Sequence, residues 1–481
     1  MFDDLRTFLQ MLEDRGELVR VKEPIHDGHE IFSILWRLTE ISGPAVIFED
    51  VAGHDIPVVS NIFGTLDRFA LACGFPEGKN AKDYRDLFLE CLDTKKWTDP
   101  KIVKDGPCKE IVIKGDDVDL NRLPILKWHP DDGGPYTTMP IVITEDDKFG
   151  VNASIYRMMT HDKNSTGMMC NIFQDQGIYL NRARTKGMDS IPCAVAIGTD
   201  PSLYVGAVTK IPLTANELAF SAALRGGRPV DVVKCETNDL YVPASAEIIL
   251  EGEISTGEVK QEGPYGEWMW YFEEEMLLPV FTVKCITHRK DPLYLMTIEG
   301  PEMGDAEILR MIPQMTTFTQ QAMSQITGCK DAWLPPAGRN YTAVISVKKR
   351  YPGWGKVAAY QAIALPFVAS SANCVIVVDD DVDPSSLDEV VWSLSTRVDP
   401  DKDVIITQPM GGYVLNPAGS RRDREFSDTG ATDIVMRSIM AIDATLQMEM
   451  EGRSRPSATV VGPKKEMFDK VLANWKKYGF E

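Results

Sequence analysis

Two carboxylates stand five residues apart in Glu262-Gly-Pro-Tyr-Gly-Glu267, around two glycines and a proline that suit neither a helix nor a central strand. An acid pair held on a tight loop is a device for handling protons. About a hundred residues upstream, Asn152-Ala-Ser-Ile-Tyr-Arg157 supplies an amide oxygen and a guanidinium on what reads as a strand. The combination suits an enzyme that binds a carboxylate and moves a proton. On spacing alone the same residues would also fit a Pro-Gly turn with solvated acids and a charge at a strand end.

The elements that would position these residues fall into three regions. Over 1–110, an amphipathic helix at 3–15 buries Leu5, Phe8, Leu9 and Leu12 and stops at Gly16, and short strands at 45–48 and 57–62 with helices near 66–73 and 83–94 predict a small α/β lobe. Over 111–310, strand patterns at 111–113, 140–144, 194–197, 247–250 and 280–286 predict an antiparallel β domain. Two helices interrupt it, one near 177–187 and one at 214–224, capped by Thr214 and ended by Gly226-Gly227. Over 311–460, a helical pattern running from 305 to about 323 leads into strands at 343–347, 374–378 and 404–407 alternating with helices at 356–365 and 386–397. That order predicts a second α/β domain with partly parallel strands. The polar stretch 411–432 reads as a loop, and a last helix at 463–477 occupies the terminal segment 461–481. The fold class expected is α+β / α/β multidomain.

Composition narrows the function. A chain of 481 residues, 44% hydrophobic and 25% charged, can fill two or three cores. The formal charge of -20, with no basic cluster denser than Lys348-Lys-Arg350 or Arg421-Arg422, argues against nucleic acid as a partner. Nine scattered cysteines without a C-x-x-C pair fit reduced thiols in a cytoplasm, and no signal peptide is evident at the start. Six histidines without an H-x-x-x-H arrangement argue against a zinc hydrolase. The run 357–378 has 22 residues without a formal charge, enough to span a bilayer, but Pro366, Ser370-Ser371 and Asn373 break it into helix, turn and buried strand, so no membrane span is expected. Val378-Asp-Asp-Asp-Val-Asp383 lacks the spaced loop of a calcium site, and Trp128-His129 with the acids after it reads as a Gly-Gly-Pro turn.

The loop and strand motifs, with Asp162-Lys-Asn164, Gly198-Thr-Asp-Pro201, Asn216-Glu217, Asn238-Asp-Leu-Tyr-Val-Pro-Ala244, Ser245-Ala-Glu-Ile-Ile-Leu-Glu-Gly252 and Leu394-Ser-Thr-Arg397, resemble the UbiD family of reversible decarboxylases that use prenylated flavin mononucleotide (prenylated FMN). The resemblance runs in order from about residue 115 to about residue 400. It implies a split β-barrel flavin-binding domain over 111–310 and a terminal helix that packs on a partner subunit in a homodimer or higher homo-oligomer. It also implies a flavin prenyltransferase as the source of the cofactor, Mn2+ or another divalent metal, and K+ as an optional second ion.

Residue roles follow from the same resemblance. Arg157 matches the arginine that grips the departing carboxylate, Glu267 the acid that protonates the carbon CO2 leaves, and Glu262 the acid that pairs with the arginine and relays protons, so a raised pKa is expected for at least one of the two. Ser154, Ile155, Tyr156, Arg157, Met169, Cys170, Asn171 and Gln174 match positions around the flavin and its phosphate. Asn152, Gln174 and Glu217 match the metal ligands, with Gln174 where some members carry histidine and Phe173 one residue away as the alternative. A basic residue that meets the phosphate in some relatives aligns with Phe367. Trp268 and Trp270 follow Glu267, and Trp270 stands where many relatives have glycine; it either walls the substrate pocket or packs a turn. Aromatic walls favour an aromatic acid over another α,β-unsaturated carboxylic acid, placing the chain in aromatic acid metabolism. The competing reading is a non-catalytic subunit of a larger aryl carboxylase complex, whose mark would be loss of Arg157, Glu262 or Glu267. A third, an oxidoreductase with unmodified flavin, would need a nicotinamide partner, and no dinucleotide fingerprint is present.

Overall fold

The computed structural model describes residues 2–171, 174–300, 303–419, 435–447 and 463–480. Helix Leu5–Asp14 begins at Asp4, whose carboxylate accepts the Thr7 N–H, and it buries Leu5, Phe8, Leu9 and Leu12. A helix the sequence reading did not anticipate, Gly28–Glu40, is capped by Asp27 and buries Ile31 and Leu35, a four-residue spacing easily lost among its polar neighbours. The lobe's sheet runs Leu18–Val21, Ala45–Phe48, Val58–Ser60 and then Tyr294–Leu295. Its fourth strand comes from the far end of the β region, so lobe and β region share one core.

The central sheet has nine strands among the described residues. Its order is Tyr136–Thr137, Met158–Asp162, Ser165–Gly167, Met276–His288, Ile248–Glu262, Ser190–Ile197, Ile141–Asp146 and Gly150–Ile155, with Ile111–Lys114 paired to Met276–His288. The two middle strands are 15 and 13 residues long, well beyond the apolar cores at 247–250 and 280–286. Backbone pairing carries them past those cores, with polar side chains turned to solvent on one face. Gly252 sits at a register shift between them, where a Cβ would lie 1.9 Å from the Thr282 carbonyl oxygen.

Three helices, not two, cross this region: Asp175–Thr185, Pro201–Ala207 and Glu217–Leu224. The third is capped by Asn216 rather than Thr214. The Asn216 amide oxygen accepts the Leu218 N–H at 2.9 Å, whereas Ala215 closes a turn onto Pro212 and leaves Thr214 outside the helix.

Helix Asp305–Gln325 joins the halves of the molecule, its first part packing Ile308, Ile312 and Met315 into the main core and its second packing Phe318 and Ala322 into the C-terminal core. The C-terminal sheet runs Cys329–Trp333, Thr342–Val347, Cys374–Asp379, Met440–Asp443 and Val404–Ile406. Its three inner strands are parallel and both edges antiparallel. The unanticipated member is Met440–Asp443, which inserts between two strands close in sequence. The uncharged run folds as helices Trp354–Ile363 and Pro366–Ser370 and then the Cys374–Asp379 strand, and among the described residues no helix is long and apolar enough to cross a membrane. The stretch read as a loop starts inside a strand, Met410–Gly412, paired with Val435–Arg437; residues 420–432 lie outside the described residues. Helix Lys465–Ala473 buries none of its residues and exposes Met467, Phe468 and Leu472.

Candidate active site

A cleft of about 640 Å³ opens between the β region and the C-terminal domain. One wall is the end of strand Gly150–Ile155 and the residues after it, which bring Ser154, Ile155, Tyr156 and Arg157 to the surface of the cleft. Met169 and Gln174 join them, and Lys210 and Glu217 close that end. The opposite wall is the Arg310, Gln314, Thr317 and Gln321 stripe of helix Asp305–Gln325, with Tyr341, Phe367 and Tyr413 from the C-terminal domain. Of the residues expected around the flavin, Cys170 and Asn171 are buried behind this surface, and Asn171 bonds Tyr413. Burial pushes the Cys170 thiol up to about 12, which leaves it an inert packing group.

Arg157 is the centre of the electrostatics. Its guanidinium lies 4.6 Å from the centroid of the Tyr265 ring and 6.0 Å from that of Tyr136. Nε faces Glu262 at 3.4 Å, Nη1 pairs with Glu267 and Nη2 with Glu273. Glu262 ends the long strand Ile248–Glu262 with no solvent exposure. Its Oε2 approaches Gly167 so closely that a Cβ there would stand 2.2 Å away, which favours a glycine at the end of strand Ser165–Gly167, one strand removed in the sheet. Burial pushes the Glu262 carboxyl up to about 7, with Arg157 pulling it down and Glu273 pushing it further up. Burial also opposes the charge on Arg157, but the Glu273 and Glu262 carboxylates outweigh it and keep the guanidinium charged.

The loop between the two acids is held from outside. The Gly133 N–H donates to the Pro264 carbonyl at 2.6 Å, and the Asp132 carboxylate accepts the Gly266 N–H at 3.2 Å. Gly263 has φ +101, a conformation that suits glycine. The segment read as a Gly-Gly-Pro turn at 129–135 therefore braces the loop between Glu262 and Glu267.

The hairpin that follows separates the two tryptophans. Trp268 lines the cleft and stacks on Tyr341, with centroids 5.2 Å apart, while the Arg310 guanidinium lies 5.0 Å over it. Trp270 faces away from the cleft. It takes φ +70 at the turn and lines a second cavity of about 340 Å³ with Phe32, Trp36, His129 and Phe272, while Arg339 lies 4.4 Å from its ring. Glu267 borders both cavities.

The residues matched to a metal converge at the Lys210 end. The Glu217 carboxylate accepts the Ala153 N–H at 3.0 Å, and burial pushes it up to about 7. Asn152, adjacent on the strand, is buried with its Nδ2 lacking a protein partner. The Gln174 amide oxygen accepts the Asn171 N–H at 2.9 Å and begins helix Asp175–Thr185; Phe173, the alternative, lies outside the described residues. Gln174 and Glu217 line the cavity while Asn152 lies behind it, its amide oxygen accepting the Ser154 hydroxyl at 3.1 Å; two amide oxygens and one desolvated carboxylate are hard donors of the kind that fit a divalent cation. Lys210, bonded to Asp175 and also lining this end, is a cation the sequence reading did not single out.

Sequence reading missed Glu273 and Arg310. Arg310 pairs with Glu299 at 3.0 Å and Glu307 at 2.7 Å inside the cleft wall. Its signal was a polar stripe spaced three and four residues apart on an otherwise apolar helix.

A split antiparallel sheet, a cleft against an α/β domain and an arginine ringed by carboxylates define an enzyme that handles carboxylic acids. The chain belongs to the UbiD family of carboxy-lyases. Residues 9–88 match the 3-octaprenyl-4-hydroxybenzoate carboxy-lyase N-terminal domain, 101–302 its Rift-related domain and 308–444 its C-terminal domain. Among solved structures, the closed form of the vanillic acid decarboxylase of Sedimentibacter hydroxybenzoicus is 29% identical, with a TM-score of 0.89 over 99% of both chains. The UbiD-class enzyme HmfF of Pelotomaculum thermopropionicum, in complex with FMN, is 30% identical with a TM-score of 0.80, over 98% of this chain and all of that one. An evolved dimeric form of HmfF in complex with prenylated FMN is 28% identical, with a TM-score of 0.77.

Proposed function

We propose that this enzyme catalyses the reversible, non-oxidative decarboxylation of an aromatic carboxylic acid, with carboxylation as the reverse, using prenylated FMN and a divalent metal such as Mn2+. The observation that carries this reading is the engagement of every Arg157 nitrogen by a carboxylate at the wall of a cleft large enough for a flavin and an aryl acid. When bound, the prenylated flavin supplies the sink for the electron pair left as CO2 departs.

The protein's part is position and proton. Arg157 orients the substrate carboxylate through its planar fork, with Tyr265 beneath it. As the bond between the ring carbon and the carboxylate breaks, Glu267 gives its proton to that carbon. Glu262, held near neutrality by burial, restores the proton through the cluster. Carboxylation runs the same transfers backwards, with Glu267 taking the proton. Trp268, Tyr341 and Tyr413 give the cleft aromatic walls, which favours an aryl acid over an extended alkenyl one. Asn152, Gln174 and Glu217 would hold the metal, and Lys210 would offer a cation to the cofactor phosphate.

The similarity to a vanillic acid decarboxylase supports the aryl choice, and the HmfF complexes support the cofactor. The exposed apolar residues of helix Lys465–Ala473 support a homodimer or higher homo-oligomer. Free cysteines throughout the described residues support a cytoplasmic location, where a flavin prenyltransferase would supply the cofactor. The test is to co-express the chain with such a prenyltransferase, weigh the small molecule released on denaturation, and assay CO2 from a panel of aryl acids. Prenylated FMN with CO2 release supports the reading; folded protein that takes up neither cofactor nor metal would point to a non-catalytic subunit instead.

A further inference from the structure

Two of the three acids on Arg157 come from one hairpin. Strand Tyr265–Gly266 delivers Glu267 just past its end, and strand Phe272–Glu273 returns with Glu273 opposite Tyr265. Because Glu262, Glu267 and Glu273 face Nε, Nη1 and Nη2, a substrate carboxylate must compete with them for the five N–H donors of the fork. Glu262 is fully enclosed in the sheet, and Glu273 is 1% exposed on the returning strand. Of the three, Glu267 lines the cleft.

We infer that Glu273 is a positioning residue that fixes the Nη2 side of the Arg157 fork from the returning strand, leaving the Nη1 side for exchange between Glu267 and the substrate carboxylate. The inference rests on the roles proposed above for Arg157 and Glu267. It also has a charge consequence that does not need turnover. One guanidinium against three carboxylates leaves the fully ionised cluster two charges negative in a desolvated place, so the cluster retains a proton. The groups facing Glu273 include Arg157, Glu262 and Glu267, the phenols of Tyr136, Tyr341 and Tyr413, and beyond them Asp132 and Arg310. Arg157 is a cation in direct contact, and Glu262 is the acid that burial raises first and the Glu273 charge raises further.

Glu273→Gln tests this, because it keeps the shape and removes the charge. In purified protein without substrate, carbon-13 NMR of labelled glutamate side chains should show a carboxyl titrating near neutrality, and its midpoint should fall by about one pH unit or more in the variant. Glu273→Asp, which keeps the charge and shortens the reach, should leave the midpoint near the wild-type value and raise KM for the aryl acid several-fold with a smaller change in kcat. An unmoved midpoint in Glu273→Gln, or a wild type with no such carboxyl, would overturn the inference. If the midpoint moves while cofactor-loaded wild type releases no CO2 from any acid, the proposed reaction fails and the positioning role stands. If CO2 is released and the midpoint stays, Glu273 is only packing.

Discussion

Two arginines, Arg157 buried and Arg310 partly so, face the same cleft, each lying against an aromatic ring, and they differ in charge balance. Arg310 meets Glu299 and Glu307, and Arg339 approaches Glu307 at 3.8 Å, so two cations answer two acids. Arg157 alone answers three acids. A balanced cluster has less reason to retain a proton, and its contacts hold the cleft wall and Trp268 in place. An over-acidic cluster must retain one, and the group pushed to about 7 is Glu262, directly on the guanidinium. Burial alone does not separate the two sites, since it also raises Glu299, where Arg310 pulls against it. Burial and, beyond it, the excess of acid over base favour a proton retained at Glu262.

The comparison breaks first on the arginines. Arg157→Ala should lower decarboxylation by about 10³-fold with the fold intact, because the three acids it leaves can share protons. Arg310→Met should instead lower stability by about 3 kcal/mol in thermal or urea unfolding, since it strands Glu299 and leaves Glu307 only the more distant Arg339. Equal activity losses and equal stability losses in the two variants would erase the distinction.

Glu267→Gln comes next, with an expected drop of about 10²-fold or more in turnover and loss of solvent-proton exchange at the product carbon. A smaller effect concerns pH. The folded-state pKa of Glu262 lies near 7, above the unfolded value of 4.5, so the folded state binds the extra proton between them. Its contribution to stability is complete below about 4.5 and is lost as pH rises through about 7. Unfolding of the cofactor-free protein across that window should show stability falling with pH, and Glu262→Gln should flatten the slope. Glu217, also raised to about 7, adds to the same slope in the metal-free protein, and Mn2+ should suppress its share.

The smallest effect separates the tryptophans. Trp268→Ala should shift the size of acid accepted, because Trp268 lines the cleft. Trp270→Gly should leave that profile alone, relieving a left-handed backbone cost of about 1 kcal/mol while losing a comparable stacking contribution from Arg339. A substrate profile changed by Trp270→Gly and unchanged by Trp268→Ala would reverse the assignment of the two cavities.

The legible parts of this molecule were those whose signal is local. The acids of the Gly-Pro loop, Arg157 and the apolar strand cores announce themselves within a few residues. Glu273 did not, because Glu273-Glu-Glu275 reads as a solvated acidic run until the hairpin pairs Glu273 with Tyr265 and turns it inward. The Asn216 cap was obscured by Thr214, two residues earlier and outside the helix. Strand Met440–Asp443 gave little local warning because its place is fixed by pairing with Cys374–Asp379, far away in sequence. Trp270 was conspicuous as a replacement for glycine, but its direction depends on a positive φ that no side-chain pattern encodes.

The most direct test of the carboxylate-ringed arginine is decarboxylation of an aryl acid in D2O by cofactor-loaded wild type and Glu267→Gln. One deuterium at the vacated carbon for each CO2 in wild type, and neither in the variant, is the expected result. Undiminished CO2 release and deuterium incorporation by Glu267→Gln would contradict it.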